Sequence, residues 1–230
     1  MIFYDRNQAM KACEEEPSLI FNLIKDGYYD IVEELLIKNK VNINTCDSIG
    51  NNIMMKLLKY RQYDLVSRLM LKRDWDINHQ NDDGNTFAHL LVNDNSVHSL
   101  KILISLTKKK GYVPNIRNNK NETVFDRSIK NNSMATLKIL EDKRFDNIDV
   151  MSFKNLLNTY INNTYYGKYS KLSNLEIIVD CMEKKELLPN MKRIIEMLKQ
   201  NMDMIKNAIM KNNGKVLSNI INSTLVEATL

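Results

Sequence analysis

Three stretches of the chain share one seven-residue pattern: Asn44-Thr-Cys-Asp47-Ser-Ile-Gly50, Asn78-His-Gln-Asn81-Asp-Asp-Gly84 and Asn115-Ile-Arg-Asn118-Asn-Lys-Asn121. Each reads N-x-x-[D/N]-x-x-[G/N], and the starts lie 34 and 37 residues apart. Asp and Asn side chains bond to nearby backbone N–H groups, and Gly or Asn tolerates a left-handed backbone, so each stretch predicts a tight turn. Two residues after each turn stands Asn52, Thr86 or Thr123, a side chain able to cap a helix by accepting an orphan N–H. A period of this length means that the chain is built from small units, none of which can bury its apolar face alone. Stacking the units makes the core.

After each cap, apolar residues recur at helical spacing: Ile53, Met54, Leu57 and Leu58; Phe87, Ala88, Leu90 and Leu91; Val124, Phe125 and Ile129. Breaks follow at Arg61, Asn95 and Asn132, with Gly27 in an earlier unit. Second helices then begin at Asp30-Ile-Val, Asp64-Leu-Val, Ser99-Leu-Lys and Ala135-Thr-Leu, placing Leu35, Leu69, Leu103 and Leu140 inward. Each unit reads as turn, short helix, short helix and extended return.

These units resemble the ankyrin repeat family over about residues 13–150. Gly84-Asn-Thr86-Phe-Ala-His89-Leu-Leu91 follows that family's G-x-T-P-L-H-x-A segment, and Asp26-Gly-Tyr-Tyr-Asp-Ile-Val resembles its N-G-H-x-E-I-V. The family's Pro is replaced by Leu19, Ile53, Phe87 and Val124. Its His survives as His89, with Phe21, Met55 and Asp126 at the equivalent positions. The resemblance implies that the His89 imidazole pins neighbouring turns together. The expected fold is all-α, an ankyrin-type α-solenoid of 4–5 helix-turn-helix repeats with a C-terminal helical cap.

The array is expected over residues 1–150, with an N-terminal helix from about Asp5 to Glu14 covering one end. Lys143-Arg-Phe-Asp-Asn-Ile-Asp149 echoes Lys72-Arg-Asp-Trp-Asp-Ile-Asn78 and would close the fourth repeat. Residues 151–230 are expected to be a degenerate repeat and helical capping region continuous with the array. Its helices would run from about Val150 to Asn162 and Ser173 to Lys185, joined by a Tyr-rich loop from Asn163 to Ser170. After Pro189, the stripe Met191, Ile194, Ile195, Leu198, Met202, Ile205 and Ile209 predicts one longer helix, stopped at Asn212-Asn-Gly214, with a last short helix around Val216–Ile221.

The chemistry of catalysis is not legible in the sequence. The three His, at 79, 89 and 98, fall in no metal-binding spacing, and no phosphate-cradling Gly-rich motif occurs. Cys13, Cys46 and Cys181 are odd in number and lack C-x-x-C spacing, which reads as reduced thiols inside a cell. No apolar run reaches the roughly 18 residues of a membrane span, and the N-terminus lacks the pattern of a signal peptide. Net charge is +5, of which +4 falls in residues 151–230. That density is low for a nucleic-acid stripe. Adjacent Asp82 and Asp83 read as a solvated turn tip, and the C-terminal Met stripe reads as core. The cluster Tyr160, Tyr165, Tyr166 and Tyr169, with Lys168 and Lys171, reads either as a packed or disordered loop or as a group able to stack on bases or anchor a protein, and the solitary Trp75 reads as a packing residue, with a binding anchor as the alternative.

The expectation is therefore a cytoplasmic, monomeric, non-catalytic module, with no cofactor and no membrane, that binds another protein on a rigid concave face. A nucleic-acid-associated regulator using the basic C-terminal region is the alternative, and an enzyme with its site in the C-terminal helices ranks third. The resemblance implies contact residues on the turn tips, at Ser48, Ile49, Asn51, Asp82, Asp83, Asn85, Asn119, Lys120 and Glu122. It implies others at the ends of the first helices, at Lys25, Asp26, Lys59, Tyr60, Asn93, Asp94, Lys130 and Asn131. Ile49 and Tyr60 are the apolar members.

Overall fold

A computed structural model describes residues 5–72, 74–131, 135–142, 148, 150–162, 168–185, 189–211 and 213–227, the side chains of 137, 160–162, 168–172 and 227 excepted. Fourteen α-helices lie among the described residues, with no strand beyond the isolated bridges Cys46–Asn52 and Gln80–Thr86. None of these helices is long and apolar enough to cross a membrane. The chain forms two compact units, 1–124 and 125–230.

The first unit is a stack of helix pairs. Helix α1 (Arg6–Glu15) is followed by a 3₁₀ turn at Pro17–Leu19. The pairs α2 (Ile20–Asp26) with α3 (Tyr29–Ile37), α4 (Ile53–Lys59) with α5 (Tyr63–Lys72), and α6 (Phe87–Asp94) with α7 (Val97–Thr107) come next. The first helices of the pairs pack on one another in sequence, α2 on α4 on α6. The second helices do the same, α3 on α5 on α7. This is the helical repeat solenoid expected from the turn spacing.

Local signals set the helix ends. Asp5 caps α1, its Oδ1 accepting from Asn7 N–H at 2.6 Å and Gln8 N–H at 3.0 Å. Asn52 caps α4 through Met55 N–H at 3.0 Å, and Ser96 caps α7 through Ser99 N–H at 3.0 Å. The 3.6-residue stripes then bury Leu23 and Ile24, Leu35 and Leu36, Leu57 and Leu58, Leu69 and Met70, Leu91 and Val92, and Leu103 and Leu106 between layers. Each such side chain contributes about 1.5–3 kcal/mol on leaving water. Trp75, in the return after α5, is buried edge-on to Phe87, with ring centroids 5.2 Å apart. Helix α1 packs on α3, and Arg6 bonds both Asp30 and Glu34 across that contact.

The second unit is a helical bundle. It opens within α8 (Val124–Lys130) and continues with α9 (Thr136–Glu141), α10 (Val150–Asn162), α11 (Lys168–Glu183), α12 (Pro189–Gln200), α13 (Met202–Met210) and α14 (Gly214–Glu227). Helix α11 packs against α9, α10, α12 and α13, so its apolar residues do not gather on one stripe. Lys185, buried beyond its end, donates from Nζ to the Asp142 carbonyl at 2.8 Å. The apolar stripe expected to make one helix after Pro189 is divided between α12 and α13. The break falls at Asn201, whose Nδ2 donates to Thr224 Oγ1 on α14 at 3.2 Å. The last helix has 14 residues and is not short. The expected loop Asn163–Ser170 is helical from Lys168 onward. Residues 163–167, Asn132, Asn212 and most of the closing echo, residues 143–147 and 149, lie outside the described residues, as do the side chains of Tyr160, Tyr169, Lys168 and Lys171.

Candidate functional site

The three turns are built alike from their central Asp or Asn. Asp47 Oδ1 accepts the N–H groups of Ile49 at 3.1 Å and Asn51 at 2.9 Å. Asn81 Oδ1 does the same for Asp83 at 3.2 Å and Asn85 at 2.9 Å, and Asn118 Oδ1 for Lys120 and Glu122, both at 3.0 Å. The last residue of each turn is left-handed, with φ of 72° at Gly50, 72° at Gly84 and 59° at Asn121. Glycine is required twice for a second reason. A Cβ on Gly50 would lie 2.9 Å from the Asp82 backbone N, and one on Gly84 would lie 2.6 Å from the Asn119 backbone N. Successive turns therefore nest, and Asp82 N–H and Asn119 N–H donate to the carbonyls of Ile49 and Asp83 at 3.3 and 3.0 Å.

Amide rungs bind the turns side to side. Asn81 Nδ2 donates to Asn51 Oδ1 at 2.8 Å, and Asn118 Nδ2 donates to Asn85 Oδ1 at 2.9 Å. Asn51 and Asn85, expected at the contact surface, are thus buried rungs of the turn stack. Behind the third turn, His89 Nε2 donates to the Glu122 carbonyl at 3.0 Å, while its Nδ1 accepts from Thr86 N–H at 3.2 Å. In the preceding repeat the same two positions hold Asn52 and Met55. There the buried Asn52 Nδ2 has no hydrogen-bond acceptor among the described residues.

Between the second and third repeats of the first unit lies a cleft of about 380 Å³, lined by Ile49, Asn51, Met55, Leu58, Lys59, Arg61, Asn81, Asp83, Leu90 and Asp94. Met55 and Leu58 are buried and Leu90 half-buried, which makes an apolar floor. Ile49 stands 52% exposed on the turn side. Two ionised groups in the area are already committed. Asp47 is ion-paired with Lys56 at 2.8 Å, both side chains being largely buried. Burial pushes its carboxyl up, but hydrogen bonds from Lys56, Asn51 and Ile49 outweigh this and hold it below the usual range. Asp94 accepts from Tyr63 Oη at 3.0 Å and from Ser99 Oγ. Burial raises its carboxyl too, and the hydroxyls of Ser99, Ser96 and Tyr63, with the charge of Arg61, bring it below the ordinary value.

Of the positions expected from sequence, Ile49, Asn51, Lys59, Asp83 and Asp94 line this cleft. Ser48, Asp82, Asn119 and Lys120 are exposed on the turns, and Glu122 is half-buried there. Lys25, Asp26 and Asn93 are exposed and Tyr60 half-buried at the ends of the first helices, while Lys130 and Asn131 are exposed in the second unit. Sequence reasoning missed Met55, Leu58, Arg61, Asn81 and Leu90 as cleft residues. Only Arg61 left a readable signal, because it takes the place held by Gly27 and Asn95 in the adjoining repeats. Among the described residues no group of three or more His, Cys, Asp and Glu side chains could hold a metal ion.

A family model for ankyrin repeats, in three copies, matches residues 20–118. This segment is an ankyrin repeat array. No curated protein matches the chain. Ankyrin repeats are generally protein–protein interaction modules and are typically non-catalytic. The ankyrin match spans α2 to the third turn, and thus includes every residue that lines the cleft.

Proposed function

We propose that the ankyrin array binds a partner protein at the cleft between its second and third repeats. The observation that carries this reading is the cleft itself. An apolar floor of Met55, Leu58 and Leu90 lies between a turn side bearing Ile49 and Asp83 and a helix-end side bearing Lys59, Arg61 and Asp94. Apolar surface rimmed by a few converging polar groups is the usual composition of a binding site. The nested turns and buried amide rungs favour tight association, because a surface fixed before encounter loses little entropy on binding.

The test is a paired change at exposed cleft residues, Ile49→Ala with Asp83→Ala. The expected outcome is an unchanged helical circular-dichroism spectrum together with loss of the partner that the unaltered protein captures. Capture of the same partner by the double variant in undiminished amount would refute the reading.

A further inference from the structure

Three inner helices of the array end on a left-handed residue: Gly27 after α2 (φ 86°), Arg61 after α4 (φ 57°) and Asn95 after α6 (φ 50°). Gly27 and Arg61 close the same bonding pattern. Their N–H groups donate three residues back, to Ile24 at 3.4 Å and Leu58 at 2.8 Å. The following N–H groups donate to Leu23 at 2.9 Å and Leu57 at 3.0 Å. Glycine suits this helix end and asparagine tolerates it, whereas the Cβ of arginine crowds the backbone there. The fold gains no salt bridge in return. Arg61 is exposed and closes none among the described residues. A residue kept in a strained conformation beside a cleft points to a role in the cleft.

The surroundings indicate what such a residue reads. Lys59, two residues earlier, is a second exposed cation that closes no ion pair among the described residues. Asp94 nearby accepts from Tyr63 and Ser99 and feels the charge of Arg61, whose guanidinium, with its five N–H donors, makes no hydrogen bond or salt bridge among the described residues. With Lys59 and Arg61 against Asp94 the helix-end side keeps one net positive charge, whereas the turn side is negative, with Asp83 in the cleft and Asp82 beside it, both exposed. Between the walls the floor is apolar.

Resting on the protein-binding reading above, we propose that the cleft takes an extended partner segment in which an aliphatic side chain is accompanied by a carboxylate. The aliphatic group sits on Met55, Leu58 and Leu90, and the carboxylate is held by Arg61 and Lys59. Asp82 and Asp83 repel the reversed arrangement, so the two walls fix the direction in which the segment lies. Arg61 is then the specificity-determining residue of the array.

The test uses the full chain, labelled with ¹⁵N, and acetylated, amidated octapeptides holding one Leu and one Glu at several spacings in a Gly-Ser background. Matched peptides carry Gln in place of Glu. Leu–Glu peptides are expected to shift the amide resonances of Ile49, Lys59, Arg61 and Asp83. They should bind about three- to tenfold more tightly than the Gln peptides. Arg61→Gly and Arg61→Asn should abolish that preference while leaving the melting temperature unchanged or higher, since each supplies a residue better suited to the helix end. Equal binding of Glu and Gln peptides at the cleft would overturn this inference and leave the protein-binding reading standing. So would a preference that survives both substitutions. Peptides that shift no cleft resonance would count against both.

Discussion

The two edges of the repeat array are held together by different physics. Along the turn edge, repeats meet through buried amides and a steric fit that leaves no room for a Cβ at Gly50 or Gly84. Along the outer-helix edge, α3, α5 and α7 also bury apolar side chains, but the polar connections are solvent-accessible ion pairs: Arg6 with Asp30 and Glu34, and Arg68 with Glu33 at 2.7 and 2.8 Å. Buried hydrogen bonds cost heavily when broken, because the partner left behind is unsatisfied. Exposed ion pairs are screened by water and salt and contribute little. The array is therefore expected to be stiff where the candidate cleft lies and tolerant of change on its back. Trp75, the only tryptophan, is buried in this unit and reports its unfolding by fluorescence.

The largest expected effect is at the nested glycines. Gly84→Ala should cost about 3 kcal/mol, since the new Cβ meets backbone and the position is left-handed, and Gly50→Ala should cost about 2 kcal/mol. Urea unfolding followed at Trp75 measures both, and a loss under about 1 kcal/mol at Gly84 would break the contrast between the edges.

Next comes the histidine bridge. His89→Met copies the preceding repeat into this one and leaves Thr86 N–H without its acceptor and the Glu122 carbonyl without its donor. The expected loss is about 1–2 kcal/mol. The converse pair, Asn52→Thr with Met55→His, replaces a buried amide that has no acceptor among the described residues and should raise stability by about 0.5–1 kcal/mol. If His89→Met proves neutral while the converse pair destabilises, the bridge is not what distinguishes the third repeat.

The outer edge should respond least. Arg68→Ala is expected to change stability by at most about 1 kcal/mol, and less in high salt. For Arg6 the sign with pH is fixed. Hydrogen bonds from Arg6 and Lys38 hold the Glu34 carboxyl down from 4.5 to about 2. A depressed carboxyl stabilises the fold fully above its ordinary value, and that contribution disappears as pH falls through the window from 4.5 to about 2. The melting temperatures of the unaltered protein and Arg6→Ala should therefore differ slightly at neutral pH and converge in acid. A gap that persists at the acid end would show that Arg6 acts through packing and not through charge.

How much was legible follows from the range of each interaction. The turns were readable because Asp47, Asn81 and Asn118 act on N–H groups two and four residues away, so the whole device is contained in the seven-residue pattern. The caps Asn52, Thr86 and Ser96 are local in the same way. The division of the stripe at Asn201 was not readable, because Ile194, Leu198, Ile205 and Ile209 remain in phase across the break and the bond that Asn201 makes there runs to Thr224 on another helix. Nor was the burial of Asn51 and Asn85. Each looks like a free polar residue at a turn, and only the neighbouring turn, 30 or 33 residues on, encloses it.

By itself the sequence determined the repeat, the helix pairs and the stacking, since hydrophobic period, caps and turn residues are short-range signals that agree with one another. It also determined the unusual residue at the end of α4. Only the tertiary structure decided that Met55, Leu58 and Leu90 share a floor, that Asp83 lines the same cleft as Arg61, and which turn asparagines are buried between neighbouring turns. Those relations join residues about one repeat apart in sequence, and they exist only once neighbouring units have packed.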